Sequence, residues 1–193
     1  NEKRTNSLYL KHVHLSKHLH ASHSLEDVLH EKNIIITAIP SQFLRPVVRD
    51  MAMYIQTKNP ILIDVAKGIE FHTFKTMSQV IEDEMPLKKS VVALSGPNHA
   101  EEVSKKLPTA TVAASHDSAC LKKVIEVMST PYFKVYPHED IIGVEICGAL
   151  KNIAAIATGV CAGLGYGDNA SASIMTLALA EMTRVGKFFG GKR

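Results

Sequence analysis

The chain is 193 residues long, 46% hydrophobic and 21% charged, with 22 basic and 19 acidic side chains giving a formal net charge of +3. This balance describes a folded globular protein and excludes a disordered chain, and the basic residues are too dispersed for a nucleic-acid footprint. Three cysteines, Cys120, Cys147 and Cys161, sit in apolar segments with no C-x-x-C pair, so they read as reduced core residues of a cytoplasmic protein and exclude a disulfide framework.

The chain opens on NEKRTN, with neither a signal peptide nor an initiator methionine, and closes on GGKR with no final element. It therefore reads as an internal piece of a longer protein. Six of the ten histidines, His12, His14, His18, His20, His23 and His30, fall in the first thirty residues. The pairs His12/His14 and His18/His20 could each present two imidazoles on one side of an extended chain, but no cysteine or carboxylate completes a tetrahedral set at a familiar spacing. No metal site is expected there, and the segment reads as variable surface sequence.

From residue 33 to 136 short β-branched runs alternate with amphipathic stretches. Strands are expected at 34–39, 61–65, 91–94, 110–114 and 132–136, and helices at 43–56, 73–84, 99–106 and 118–128. Five strands with four crossovers make a doubly wound, mainly parallel α/β layer of Rossmann type. After Pro137 no strand follows, and helices are expected at 140–158 and 169–188, with Asp140 and either Asp168 or Asn169 as N-caps. Two helices cannot bury both faces of a helical layer, so they read as the start of an all-helical second domain.

Residues 141–165 are apolar and long enough to suggest a membrane span, but Glu145 and Lys151 interrupt them and glycine and alanine dominate. A helix packed closely through small residues is the preferred reading. Gly163, Gly165 and Gly167 resemble the start of a dinucleotide fingerprint, yet no strand feeds the turn. They read as a helix-to-helix connection.

Ligands of open parallel sheets bind outside the carboxyl ends of the strands. The first strand ends in AIPSQF, placing Ser41, Gln42 and Phe43 there; the second ends in IDVAKGIE, placing Lys67 and Gly68; the third ends in LSGPNHAEEV, with Asn98 as a plausible N-cap. Each alone is weak, since a strand-end lysine or a Gly-Pro turn is more often structural. Farther on, Lys151-Asn152 interrupts a small, apolar helix. A lysine deprived of water loses basicity and becomes a usable proton donor and acceptor, which makes Lys151 the first catalytic candidate. The plain alternative is a lysine that reaches solvent along the helix edge.

Together these segments resemble the NAD(P)-dependent glycerol-3-phosphate dehydrogenases of bacterial type. NEKRTNSLYL follows the family's Asn-x-x-Arg-x-Asn-x-x-Tyr-Leu, AIPSQF its Pro-x-Gln-Phe, AKGIE its Lys-Gly-Ile-Glu and SGPNHAEEV its Gly-Pro segment. GVEICGALKNIAAIATGVCAGLGYGDNASASIMTLALAEMTRVGKFFGG follows the family signature nearly throughout. The resemblance implies interconversion of dihydroxyacetone phosphate and sn-glycerol 3-phosphate with NAD or NADP, feeding glycerophospholipid synthesis. It implies Lys151 as proton donor and acceptor, with Lys67, Gly96, Asn98 and Asn152 binding substrate. Tyr9, Phe43, Lys67 and Ala100 would bind cofactor, without a metal. It further implies a partial dinucleotide-binding domain over 1–138, lacking its first βαβ unit, the N-terminal part of a helical substrate domain over 139–193, and a homodimer when intact.

Asn98 departs from the family's serine or threonine and Ala66 from a common serine. The glycine-rich fingerprint and an arginine-asparagine phosphate clamp are expected outside the chain. Two other readings remain open: a related hydroxy-acid or polyol dehydrogenase sharing the Lys-Asn pair, and a non-catalytic, helix-mediated binding module.

Overall fold

The computed structural model describes residues 4–55, 59–85 and 91–192; Gln56, the expected end of the first helix, and the side chain of His12 lie outside the described residues. In the histidine-bearing opening, His14, His18, His20, His23 and His30 are exposed on the surface. Strands β1 (Thr5–Asn6) and β2 (Leu10–His14) form an antiparallel hairpin, and helix α1 (Leu25–Leu29) follows. The Ser24 hydroxyl caps α1 by accepting the Asp27 amide at 3.3 Å, the kind of side-chain acceptor a helix start requires.

The five expected runs form one sheet, β3 (Ile34–Thr37), β4 (Ile61–Asp64), β5 (Val91–Ser95), β6 (Thr109–Ala114) and β7 (Phe133–His138), ordered as in the sequence. Side chains alternate between faces along a strand. Leu62, Val91 and Ala93 accordingly join a core with Leu44, Val48 and Met51 of α2 (Leu44–Ala52) and Val80 and Ile81 of α3 (Met77–Glu84). Ile63, Val92 and Leu94 face the other way, against Leu121 and Val124. Helices α4 (Ala100–Ser104) and α5 (Ser118–Met128) complete the α/β layer.

Two of the expected helices begin late. A 3₁₀ turn, Ser41–Phe43, precedes α2. Residues 73–76 belong to a tight loop in which His72 and Phe74 have φ of +69° and +56° and Ile69 pairs with Thr76. The Gln79 side chain then accepts the Thr76 amide at 3.0 Å and starts α3.

One connection differs from the expected four crossovers. β3, β4 and β5 are parallel, β6 is antiparallel to β5, and β7 is parallel to β6. Hydrophobic periodicity marks a strand without giving its direction, and the short α4 supplies a connection that reverses the chain. The consequence is positional. β7 ends near the edge where β3–β5 begin, so α6 (Ile141–Gly163) starts there, with Ile141 packed in the core beside Val91 and Ala114. From Ile141 to Gly148 the helix rises about 10 Å, comparable with the roughly 13 Å from Val91 to Ser95 along β5. Gly148 lies directly on the Ser95 side chain, so closely that a Cβ there would meet Ser95 Oγ. Lys151 follows within one turn.

Beyond that point α6 leaves the sheet and pairs with α7 (Asp168–Phe188). The glycines between them do connect two helices: Gly165 has φ +74°, and the amides of Gly165 and Tyr166 bond back to the carbonyls of Ala162 and Cys161, a Schellman ending. Gly167, rather than Asp168 or Asn169, is the N-cap of α7. Cys147 is exposed and Cys120 and Cys161 are half-buried, so none is the fully buried core residue expected; all three are free thiols.

Asp140 ties the ends of the hairpin together. One carboxylate oxygen accepts the Gly143 amide at 2.9 Å, capping α6 as expected, and the other accepts the Lys192 amide at 2.7 Å, just after α7. We expect Asp140→Ala to lower the unfolding free energy by about 1–3 kcal/mol, since it removes a cap and a second buried acceptor. Asp140→Asn, which keeps the cap acceptor, should cost less. Urea denaturation of the three proteins checks the order.

Candidate active site

Because β3, β4 and β5 run parallel, their carboxyl ends meet at one edge of the sheet, and α6 arrives at the same edge. Four chain segments, carrying Phe43, Lys67, Gly96 with Asn98, and Lys151 with Asn152, end at this edge, linked by Ser41 against Gly68, Gly148 against Ser95 and the charge of Lys151 acting on Lys67. Phe43 is exposed at 64%, leaving a flat apolar ring open beside the end of β3. Ser41 lies under Gly68, where a Cβ would strike its hydroxyl. The loop carrying Lys67 therefore rests on the turn carrying Phe43.

Lys67 and Lys151 face each other electrostatically. The Lys67 side chain still reaches solvent, yet its surroundings remove enough water to lower its pKa, and the charge of Lys151 lowers it further. Lys151 is half-buried rather than enclosed, because the helix is leaving the sheet where it stands. Its Nζ donates to Asn152 Oδ1 at 3.2 Å. Lys151 is thus less enclosed than the apolar sequence around it suggested.

Asn98 does not cap a helix, as the sequence suggested. His99 holds the N-cap position of α4, and Asn98 Nδ2 donates to the Ala110 carbonyl at 2.9 Å, bracing the end of β5 against the start of β6. Its Oδ1 then lines the Cα of Gly96 together with Ala110 O and Thr111 Oγ1; a Cβ on Gly96 would stand 2.9 Å from each of the latter two. Only glycine fits. Thr111 Oγ1 is buried and has no hydrogen-bond partner among the described residues. Ala100 opens α4, and Tyr9, 77% exposed, stands on the hairpin beside Glu101, Ser104 and Lys105 of that helix.

Sequence reasoning missed two buried carboxylates beneath the lysines. Glu145 is 7% exposed, and both its oxygens bond to Ser78, accepting the amide at 2.7 Å and the hydroxyl at 2.6 Å. Those donors lie in the first turn of α3, where the helix dipole favours an anion. Burial nevertheless pushes the Glu145 pKa up against them. Asp64, 2% exposed at the end of β4, accepts the Thr37 hydroxyl at 2.7 Å. Burial raises it from 3.8 to about 7, with Glu145 adding to the rise and Thr37 and the Ala66 amide opposing it. The signal was a single acid in the apolar run ILID and another in GVEIC.

An open, Rossmann-like layer with polar groups gathered at one strand-end edge, followed by a helical pair, is the class of protein these features define. The family model described as the NAD-dependent glycerol-3-phosphate dehydrogenase N-terminus matches residues 1–121, and the one described as its C-terminus matches residues 140–193. The chain belongs to the NAD-dependent glycerol-3-phosphate dehydrogenase family. It is 43% identical over 193 residues to the glycerol-3-phosphate dehydrogenase [NAD(P)+] of Clostridium tetani, covering 100% of this chain and 55% of that protein. A relative of the same name from Chlorobium chlorochromatii is 45% identical, with 98% and 57% covered.

Among solved structures, the glycerol-3-phosphate dehydrogenase of Coxiella burnetii is similar with a TM-score of 0.90 and 35% identity, over 99% of this chain and 58% of that one. That of Plasmodium falciparum gives 0.89 and 31%, over 100% and 54%. The chain spans a little over half the length of the curated relatives it matches.

The buried acids give the site a pH signature. Between the ordinary Asp64 value of 3.8 and its folded value of about 7, the folded chain keeps a proton that the unfolded chain has lost. Stability from this group is full below the first value and is lost as pH rises through the second. Urea unfolding near pH 5 and pH 8 should therefore favour Asp64→Asn over the wild type more at the higher pH, with an upper bound of about 1.4 kcal/mol per pKa unit. The same difference at both pH values would contradict the assignment.

Proposed function

We propose that the protein to which this chain belongs interconverts dihydroxyacetone phosphate and sn-glycerol 3-phosphate with NAD or NADP, supplying glycerol phosphate for glycerophospholipid synthesis. The observation that carries the reading is the meeting of Lys67 and Lys151 at the open edge. The bound nicotinamide supplies or accepts the hydride. In reduction the Lys151 ammonium donates its proton to the substrate's developing alkoxide, and in oxidation its neutral amine takes the hydroxyl proton back. Acid–base help of this kind contributes about 10²–10⁴-fold.

Lys67 presents a second cation to substrate and cofactor, and Asn152, tied to Lys151 by the 3.2 Å bond, orients the carbonyl. Gly96 and Asn98 contact substrate; Tyr9, Phe43, Lys67 and Ala100 hold the cofactor. The exposed ring of Phe43 fits a stacking role against a nicotinamide, and the close-packed Gly96, where a Cβ would fill the space, fits an approach of backbone to ligand. This reading uses residues 1–138 as a partial dinucleotide-binding domain and 139–193 as the beginning of a helical substrate domain.

Two further features support that division. β3 is the edge strand of the described sheet, and its Ile36 is 50% exposed, as suits a strand that pairs onward under a further helix. Ile153, Ile156, Leu177 and Leu179 on α6 and α7 are each at least 65% exposed, so the pair requires an apolar partner. More of a helical domain, which the greater length of the relatives would supply, and a second subunit of a homodimer provide such cover. α6 is long and apolar enough to cross a membrane by length and composition, but its first turns are docked on the sheet. We propose a cytoplasmic enzyme with no membrane span and no nucleic-acid partner.

In the full-length protein carrying this sequence, Lys151→Ala should lower the rate of NAD(P)H-dependent dihydroxyacetone phosphate reduction about 10²–10⁴-fold while leaving NAD(P)H binding in place. Unchanged turnover would make the lysine structural. A preference for a substrate without phosphate would favour the related hydroxy-acid or polyol dehydrogenases.

A further inference from the structure

Gln42 was grouped with the residues placed to touch a cofactor, but the structure engages its amide elsewhere. Nε2 donates to the Ile69 carbonyl at 2.8 Å, and Oε1 accepts the Phe71 amide at 2.9 Å. A side-chain amide thus stands in for a strand, bonding both a C=O and an N–H of a segment 27 to 29 residues away. On either side of it the same short turn grips the same loop. Ser41 underlies Gly68, and Arg45, one helical turn on, binds Glu70 through Nε and Nη2 at 2.7 Å each. Arg45 also reaches Glu84 and Asp83 of α3, so its guanidinium is itself anchored.

The loop held in this way needs holding. It turns through two non-glycine residues with positive φ, His72 and Phe74, a conformation that costs on the order of 1 kcal/mol or more at each such residue. Within itself it is closed by the Ile69–Thr76 bridge, by the Glu70 amide on the Lys75 carbonyl at 2.9 Å and by the Phe74 amide on the Glu70 carbonyl at 3.1 Å, and Lys75 ties its far end to Asp83; Gln42 holds the near end, next to Lys67. Lys67 lies immediately before the gripped residues. We infer that Gln42 is a positioning residue: by bonding the backbone at Ile69 and Phe71 it fixes the loop so that Lys67 is held beside Lys151 at the strand-end edge. This rests on the reading of Lys67 and Lys151 as a working pair.

Two variants of the full-length protein carrying this sequence test the inference. Gln42→Met keeps the length and loses both bonds, whereas Gln42→Asn keeps an uncharged amide that is one carbon too short to hold both Ile69 and Phe71. Amide hydrogen exchange reports the grip, and the pH profile of Lys67 acetylation, followed by peptide mass spectrometry, reports the position of the lysine. A purely structural role would change the first and leave the second alone.

In Gln42→Met the Phe71 amide should exchange about fivefold faster or more, the effect of losing one net hydrogen bond. The midpoint of the Lys67 profile should move up toward the ordinary lysine range, with Gln42→Asn between the two. An unchanged Lys67 midpoint in Gln42→Met, with β4 and β5 amides still protected, overturns the inference. Should Gln42→Met lose that protection, the same two readings on Gln42→Asn decide. Failure of the enzymatic reading would show instead as turnover surviving Lys151→Ala, which leaves both Gln42 readings unaffected.

Discussion

The path of α6 across the sheet is the constraint on which the rest of the molecule depends. Had all five strands run parallel, α6 would start at the ligand edge and carry Lys151 about 15 Å beyond it, at 1.5 Å per residue over ten residues. The reversal between β5 and β6 returns the chain to the opposite edge first, so the same stretch of helix becomes a climb that ends beside Lys67. Three contacts set its height: Asp140 caps its start, Glu145 bonds Ser78, and Gly148 rests on Ser95. A Cβ at residue 148 would meet Ser95 Oγ, which would have to turn aside.

Glu145 shows how a charge can be kept in such a place. An unpaired buried carboxylate costs several kcal/mol. Here both oxygens are hydrogen-bonded, and the donors belong to the first turn of a helix. Burial still works against ionisation of Glu145, and Asp64, close enough to feel it, is raised to about 7. Two acids that resist ionising therefore lie below two lysines, one of which has lost basicity to dehydration and to its neighbour. The separation of these groups is a property of the packing, since none of them shares a hydrogen bond with a group of opposite charge among the described residues.

Much of this was legible in the sequence because periodicity and punctuation survive folding. The β-branched runs and their order, the helix starting at Asp140 and the glycine turn between α6 and α7 all follow from local rules. Strand direction does not, which is why the β5–β6 reversal went unseen. The opening hairpin carries no such signal, since the two apolar residues of its second strand, Leu10 and Val13, are three apart and break the alternation of a half-buried strand. Burial is the other quantity a sequence withholds. Lys151 looked enclosed because its neighbours are apolar, yet those neighbours are themselves exposed on α6. Lys67 was placed at a strand end from its sequence, but the lowering of its pKa, first by lost water and then by the charge of Lys151, comes from packing that no local pattern shows. Gln42 stands just past the end of β3, where the sequence put it, but its hydrogen-bond partners lie in a loop that no local pattern could assign.

The central claim is the juxtaposition of Lys67 and Lys151 at the ligand edge, which titration of Lys67 in the wild type and in Lys151→Met tests most directly. The two residues are 84 positions apart in sequence, so only the climb of α6 lets one charge act on the other. Removal of the Lys151 charge should raise the Lys67 pKa, leaving the lowering due to lost water. A Lys67 titration identical in the two proteins would contradict the account.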